Sequence, residues 1–273
     1  MIKFNFGQLI ETSWSSLPLN TRQKLTWLGS FVVALGLFWI VNTFLIRIEY
    51  CSSADSTVNL EFVNIAKSVR RMRLGSNVVV KFDNNSHCRH VRIVGLPGDT
   101  VSLEDGCAMV NGEYIDRSSS IKSTFRISQG LSFKFRHRMS RDAGVQLADT
   151  AQYTILPINL RVKNWLRYTY APLLPNMPSK DVYPFDIAAH NNVYNMHRFR
   201  LPMADDTITI DARNLLYYGP IISKYEHNPM PNIGDVYRFE HSYFWLLNDN
   251  RDIYNDSRTL GPLPESQILG TIL

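Results

Sequence analysis

The pattern of hydrophobic and polar positions changes abruptly early in the chain. From Leu25 to Ile46 there are 22 consecutive residues without a charge, with Trp27 near one end of the run. At about 1.5 Å per residue, a helix of this length spans roughly 33 Å, enough to cross the hydrocarbon core of a bilayer. We therefore predict a transmembrane helix over residues 25–46, preceded by a short segment, residues 1–24.

The charges that flank this run predict its orientation. Lys3, Arg22 and Lys24 outnumber Glu11 on the N-terminal side, whereas the side that begins at Arg47 is slightly acidic. The positive-inside rule then places the N-terminus in the cytoplasm and everything after Arg47 across the membrane. The run is longer than the apolar region of a cleaved signal peptide, so we expect a retained anchor in the plasma (inner) membrane and a periplasmic or extracytoplasmic domain.

The pattern after the helix is typical of β-structure. Short runs rich in β-branched residues alternate with turn sequences such as Leu96–Asp99 and Asn111–Gly112. The four runs that predict strands are Asn77–Phe82, His90–Val94, Val101–Leu103 and Ala108–Val110. They indicate an antiparallel sheet. The stretch Val58–Arg73 is compatible either with a strand followed by a short basic helix or with one of these alone.

Residues 115–236 are predicted to form an inserted second β-rich domain, while residues 47–114 and 237–273 form the β core. Further strands are predicted at Ser132–Phe135, Gln152–Leu156, Thr207–Ile210 and Tyr237–Leu247. Within the insert, Asp211 is a typical N-cap residue and Gly219 a typical stop, which favours a short helical pair over 211–226. The predicted fold class is therefore mainly β, with an antiparallel core, a mixed insert and one preceding transmembrane helix.

Composition and charge narrow the possible partners. The chain is 45% hydrophobic, which excludes a mainly disordered protein, and the part after Ile46 carries a net charge of only +3. We therefore expect no nucleic-acid partner, and no motif suggests a metal or a cofactor. Every charge between Asp116 and Asp142 is basic, so this stretch either faces anionic lipid or is a solvated surface. Cys88 and Cys107 could form a disulfide in an oxidising compartment, with Cys51 left over, or all three cysteines are small buried residues.

Two segments carry a specific motif pattern. The first is Arg92–Asp99, which ends in Gly-Leu-Pro-Gly-Asp, and the second is Asn248–Arg258, which is followed by Gly261, Pro264, Ile268 and Gly270. Together with the preceding apolar helix, they resemble the bacterial type I signal peptidases. The resemblance implies a membrane-bound β fold and a Ser-Lys dyad, in which a neutral lysine removes the serine proton.

Several positions of that resemblance depart from the family pattern. Ser53 falls on the nucleophile and Thr57 on a motif threonine, but Val91 occupies the lysine position beside Arg92. In the second segment, Tyr254 replaces the serine that hydrogen-bonds the lysine and Asn248 replaces a glycine. The structural residues persist: Gly95, Pro97 and Gly98 set a turn, Asp256 and Arg258 are expected on one strand face, and Asp249, Arg251 and Asp252 could form a local charge network. Such a pattern is expected of a site released from catalysis.

Three functions follow as hypotheses. The favoured one is a catalytically impaired or inactive relative that binds exported precursors or secretion and assembly partners at the membrane lipid surface. The alternative is an active signal peptidase with Ser53 as nucleophile and an atypical base, either His90 reoriented by a β-bulge or a lysine supplied by a partner protein. The third is a plain membrane-anchored scaffold.

Overall fold

The computed structural model describes residues 18–44, 46–52, 58–64, 72–81, 88–116, 118, 120–127, 153–157, 170–172 and 178–272. The chain divides into two compact units, Met1–Arg47 and Ile48–Leu273. The first unit contains helix α1, Leu19–Phe44, and its segment Leu19–Val41 is long and apolar enough to cross a membrane. The helix begins six residues earlier than predicted because the Pro18 carbonyl accepts hydrogen bonds from the amides of Thr21 and Arg22 and so starts the first turn.

Strands dominate the second unit, which confirms a mainly β fold. The described strands are β1 Ile46–Ser52, β2 Val58–Asn64, β3 Asn77–Lys81, β4 Cys88–Gly95, β5 Thr100–Glu104, β6 Cys107–Val110, β7 Glu113–Tyr114, β8 Lys122–Ile127, β9 Tyr153–Pro157, β10 Tyr170–Pro172, β11 Met196–Arg200, β12 Thr207–Thr209, β13 Val236–Arg238, β14 Tyr243–Leu247, β15 Leu263–Pro264 and β16 Ile268–Ile272. In the described part of the chain the further α-helices are α2, Ala212–Tyr225, and α3, Ser257–Leu260, and there are also two short 3-10 helices, Ile187–Ala189 and Glu265–Gln267.

The central sheet has the order β1-β2-β16-β3-β4-β14-β15, and β1 also pairs with β4. The first five strands therefore close into a small barrel, with β1 and β4 parallel at the closing seam. Apolar side chains from these strands form one buried cluster that contains Cys51, Val63, Val79 and Cys88. Alternation along β3 and β4 sends the next residues to the other face, where Val78 and Val91 join a second cluster.

A third apolar cluster lies against β14 and includes Val101, Tyr183, Tyr217 and Trp245. Its members come from positions on both sides of the predicted boundary at residue 115, so part of the predicted insert shares a core with the β core. Outside the central sheet, the described strands form three smaller sheets, β10-β8-β9, β11-β5-β6-β7 and β12-β13.

Some local predictions were wrong. Residues 212–225 form one helix rather than a short pair, and it continues through Pro220 because Tyr217, Ile221 and Ile222 bury its apolar face. Asp211 caps it as predicted, accepting from the amides of Arg213 and Asn214. The predicted strand 237–247 is two strands, β13 and β14, that pair with different partners. The predicted strand 132–135, the possible basic helix after Asn64 and most of the basic stretch lie outside the described residues.

Candidate active site

The first motif forms a tight turn after β4. Gly98 has a φ of +88°, which the second central position of a type II turn requires, and Pro97 precedes it. The Asp99 amide donates to the Leu96 carbonyl over 3.0 Å, and the Asp99 carboxylate accepts from the Leu96 amide and from the Asn111 side chain, each over 2.9 Å. The motif therefore fastens the β4–β5 connection to the next hairpin.

Gly95 has a different role from the one predicted. It is the last residue of β4 rather than a turn residue, and a Cβ added to it would meet Val101, the Leu201 Cδ1 at 2.7 Å and the Trp245 Cβ at 3.1 Å. Close packing, not backbone conformation, requires glycine here.

The position that carries the lysine in the resemblance is buried in hydrocarbon. The Val91 side chain is 1% exposed and belongs to the cluster that includes Val80, Ile93 and Phe244. The β3–β4 register is regular from Asn77↔Arg92 to Lys81↔Cys88, so no bulge between these strands turns His90 toward the face of Val91. At this position the described residues supply apolar side chains and no amine.

Arg92 joins the two motif segments. Its guanidinium holds Asp249 in two hydrogen bonds of 2.6 Å, while it also donates to the Gly75 carbonyl and to the Ser120 hydroxyl. Burial alone would raise the pKa of the Asp249 carboxyl, but the Arg92 hydrogen bonds and charge outweigh it and hold this pKa below its ordinary value. The carboxylate is therefore charged at neutral pH.

Two further charges of the second motif differ in burial, because Arg251 is fully buried and Asp252 is half-buried. Arg251, 0% exposed, donates to Asp116 over 2.6 Å and to the Asn248 carbonyl over 2.8 Å. Asp252 accepts from the Ser123 hydroxyl over 2.9 Å. Asp249, Arg251 and Asp252 thus hydrogen-bond to three different partners outside the motif, while the charge of Arg251 also acts on Asp249 within it.

Asp256 and Arg258 lie at the start of α3 and not on a strand, which corrects the prediction of a shared strand face. Asp256 is the N-cap residue, and its carboxylate accepts from the Arg258 amide over 3.0 Å and from the Arg258 guanidinium over 2.7 Å. Burial alone would lower the pKa of Arg258, but the Asp256 carboxylate raises it above its ordinary value. Both charges are buried and satisfied.

Tyr254 forms a pair with a residue that the sequence did not single out. Its hydroxyl lies 3.2 Å from the hydroxyl of Tyr194, and the two rings meet edge to face. Burial and the hydrogen bond to Tyr254 raise the pKa of Tyr194 well above its ordinary value, so this phenol stays protonated at neutral pH. The position of the motif serine is therefore occupied by a phenol that bonds to another phenol.

The candidate nucleophile Ser53 lies outside the described residues, as does Thr57. The last described pair at the β1–β4 seam is Ser52↔Arg89, and Arg89 donates to the Asn255 carbonyl of the second motif over 2.9 Å. Sequence reasoning missed Asp116 and Tyr194, which lie 135 and 60 residues from their partners Arg251 and Tyr254. It also missed Ser120, which lies 28 residues from Arg92 and 129 from Asp249. No motif spacing links these positions.

Comparison with known proteins adds one match. The family model described as "Signal peptidase, peptidase S26" matches residues 24–152, just under half of the chain. This range holds the whole charge-free run, Leu25–Ile46, and the first motif, and the second motif lies outside it. The match confirms the resemblance to the type I signal peptidases. No curated protein gave a match.

Proposed function

We propose, from the premise that this chain is a relative of the signal peptidases, that it is a membrane-anchored protein that has lost most or all peptidase activity and binds exported precursors or assembly partners. The apolar helix α1 and the family match support the membrane anchor. Inner-membrane location, a cytoplasmic N-terminus and a periplasmic β domain follow from the flanking charges and remain part of the proposal.

The observation that carries the proposal is the burial of Val91. A serine hydroxyl needs a base to become a nucleophile, and a side chain without a titratable group cannot accept its proton. Loss of the general base in acyl transfer costs about 10⁴-fold in rate. Val91 packs against Val80 and Ile93, so the space is filled by hydrocarbon.

The pair of phenols Tyr254 and Tyr194, at the second motif, also supports the loss of peptidase activity. The Tyr254 hydroxyl lies 3.2 Å from that of Tyr194, and burial raises the pKa of Tyr194, so the Tyr194 phenol stays protonated and is no base at neutral pH. The scaffold around both positions keeps its ion pairs, which favours retention of the shape over retention of the chemistry.

One observation favours the second candidate function, an active peptidase with an atypical base. The last described pair of the parallel seam is Ser52↔Arg89, and the residues that follow in the chain are Ser53 and His90. An imidazole has the appropriate pKa range for a general base. In this case His90→Gln and Ser53→Ala would abolish cleavage equally.

The deciding experiment uses the full chain in vesicles with a fluorescent leader-peptide substrate. We expect tight binding of the peptide without cleavage by the native protein, and measurable cleavage after Val91→Lys with Tyr254→Ser. Val80→Lys with Tyr254→Ser is the matched control, because it also buries a lysine in the same cluster and should stay inactive. Cleavage by the native chain that disappears in Ser53→Ala would overturn the proposal, and absence of both binding and cleavage would favour a plain scaffold.

A further inference from the structure

The closing seam of the barrel brings two cysteines opposite each other. Cys51 on β1 and Cys88 on β4 are direct partners in the parallel register, and both side chains are buried, at 0% and 4% exposure, in the same apolar cluster. Cys107 lies on β6 in a different sheet. The pair at the seam is therefore not the Cys88–Cys107 pair that the sequence suggested.

The backbone geometry of this pair is suitable for a covalent link. Neighbouring strands lie about 4.8 Å apart, and directly opposite residues on parallel strands project to the same side. Disulfides join Cα atoms that are roughly 4.4–6.8 Å apart, so no strand has to move. We propose that Cys51 and Cys88 are a disulfide-forming pair that closes the barrel.

The position of the link gives it a specific consequence. Among the described residues the β1–β4 seam has two register pairs, whereas β3 and β4 share five. Cys51 lies two residues before Ser53, and Cys88 lies three residues before Val91. The bond therefore fixes the start of the candidate nucleophile segment to the strand that carries the lysine position.

The reaction is thiol–disulfide exchange with a disulfide oxidant, either a dithiol–disulfide oxidoreductase or glutathione disulfide. One cysteine thiolate attacks the oxidant, which releases one thiol, and the second cysteine attacks the mixed disulfide and releases the other. Two protein thiols are oxidised to one S–S bond while the oxidant is reduced to two thiols. Because both sulfurs are buried in the folded chain, the bond forms during folding. Its formation in cells rests on the extracytoplasmic location in the proposed function.

The test counts thiols on the full chain with a polyethylene-glycol maleimide after denaturation in SDS. After refolding in detergent with a glutathione redox buffer, we expect one reactive thiol, and three after reduction with dithiothreitol. Cys107→Ser should show no reactive thiol after refolding and two after reduction. Cys51→Ser and Cys88→Ser should each show two reactive thiols both after refolding and after reduction. The oxidised Cys107→Ser variant should melt on the order of 10 °C higher than its reduced form, because the bond closes a loop of about 38 residues.

Three reactive thiols in the refolded native chain, or a bond that disappears in Cys107→Ser, would overturn the pairing. The same count on protein taken directly from membranes tests the location separately. If the bond forms on refolding and is absent in cells, the pairing stands and the extracytoplasmic placement fails. The leader-peptide assay tests the loss of activity by a separate measurement, so failure of the pairing and failure of the proposed function can be distinguished.

Discussion

Disruption of the ion pair between Asp116 and Arg251 should lower the free energy of unfolding far more than disruption of an exposed ion pair with the same N···O distance. The two side chains are 1% and 0% exposed and lie 2.6 Å apart. Asp116→Asn keeps the size of the side chain and leaves it able to accept from the Ala108 amide, but it leaves the Arg251 guanidinium buried without a counter-charge. An uncompensated buried charge costs about 3–5 kcal/mol. Since a domain is stable by only about 5–15 kcal/mol, this variant should be close to unfolding.

The chain provides a matched control in Asp205→Asn. Asp205 pairs with Arg238 at the same distance of 2.6 Å, but the two side chains are 77% and 69% exposed. An exposed pair contributes about 0–1 kcal/mol. Urea unfolding of the full chain in detergent, followed by tryptophan fluorescence, gives both free energies of unfolding. Equal losses in the two variants would refute the reasoning that burial, and not distance, sets the cost.

Other contacts give further predictions. Asp249→Asn should lower the free energy of unfolding by about 2 kcal/mol at pH 7, because it removes a charged partner of Arg92. The pKa of Asp249 is depressed in the folded protein by its Arg92 hydrogen bonds, which outweigh burial. Its contribution is therefore present above the unfolded pKa of about 3.9 and is lost as the pH falls through the folded pKa. In urea unfolding measured at decreasing pH, the stabilities of native and variant protein should converge, and a difference that stays constant as the pH falls below about 3.9 would contradict the assignment. Gly95→Ala should cost about 1–3 kcal/mol through overpacking, and Val101→Ala in the same chain should recover part of the loss, as measured by melting temperature.

The sequence predicted those parts of the fold that depend on local patterns. The charge-free run predicted α1, and the β-branched runs predicted β3 and β4. The predicted ends of these two strands lie within two residues of the observed ends. The N-cap Asp211 was correct because capping is a contact over two or three residues. The helix end was wrong because the burial of Ile221 and Ile222, a tertiary effect, outweighs the local cost of Pro220.

In the candidate site, too, some features could be predicted from the sequence and others depend on the folded structure. Substitution of the lysine position by Val91 is readable in the sequence, since it requires only a count back from Gly95. The partners of the motif charges are not readable, because Asp116 and Arg251 are separated by 135 residues and meet only through the folded sheets. The pairing of Cys51 with Cys88 depends in the same way on the register of a parallel seam, which no local pattern encodes.

These contacts also explain how the motifs can persist apart from catalysis. Arg92, Arg251 and Arg258 each hold a carboxylate, and removal of either member would leave a buried or half-buried charge unpaired. The turn at Gly98 and the close packing at Gly95 are required by the fold in the same sense. Val91, by contrast, packs as an apolar side chain in an apolar cluster and forms no ion pair. The residues that give the family resemblance are therefore those that stability alone requires, and the activity depends on separate positions that have to be tested directly.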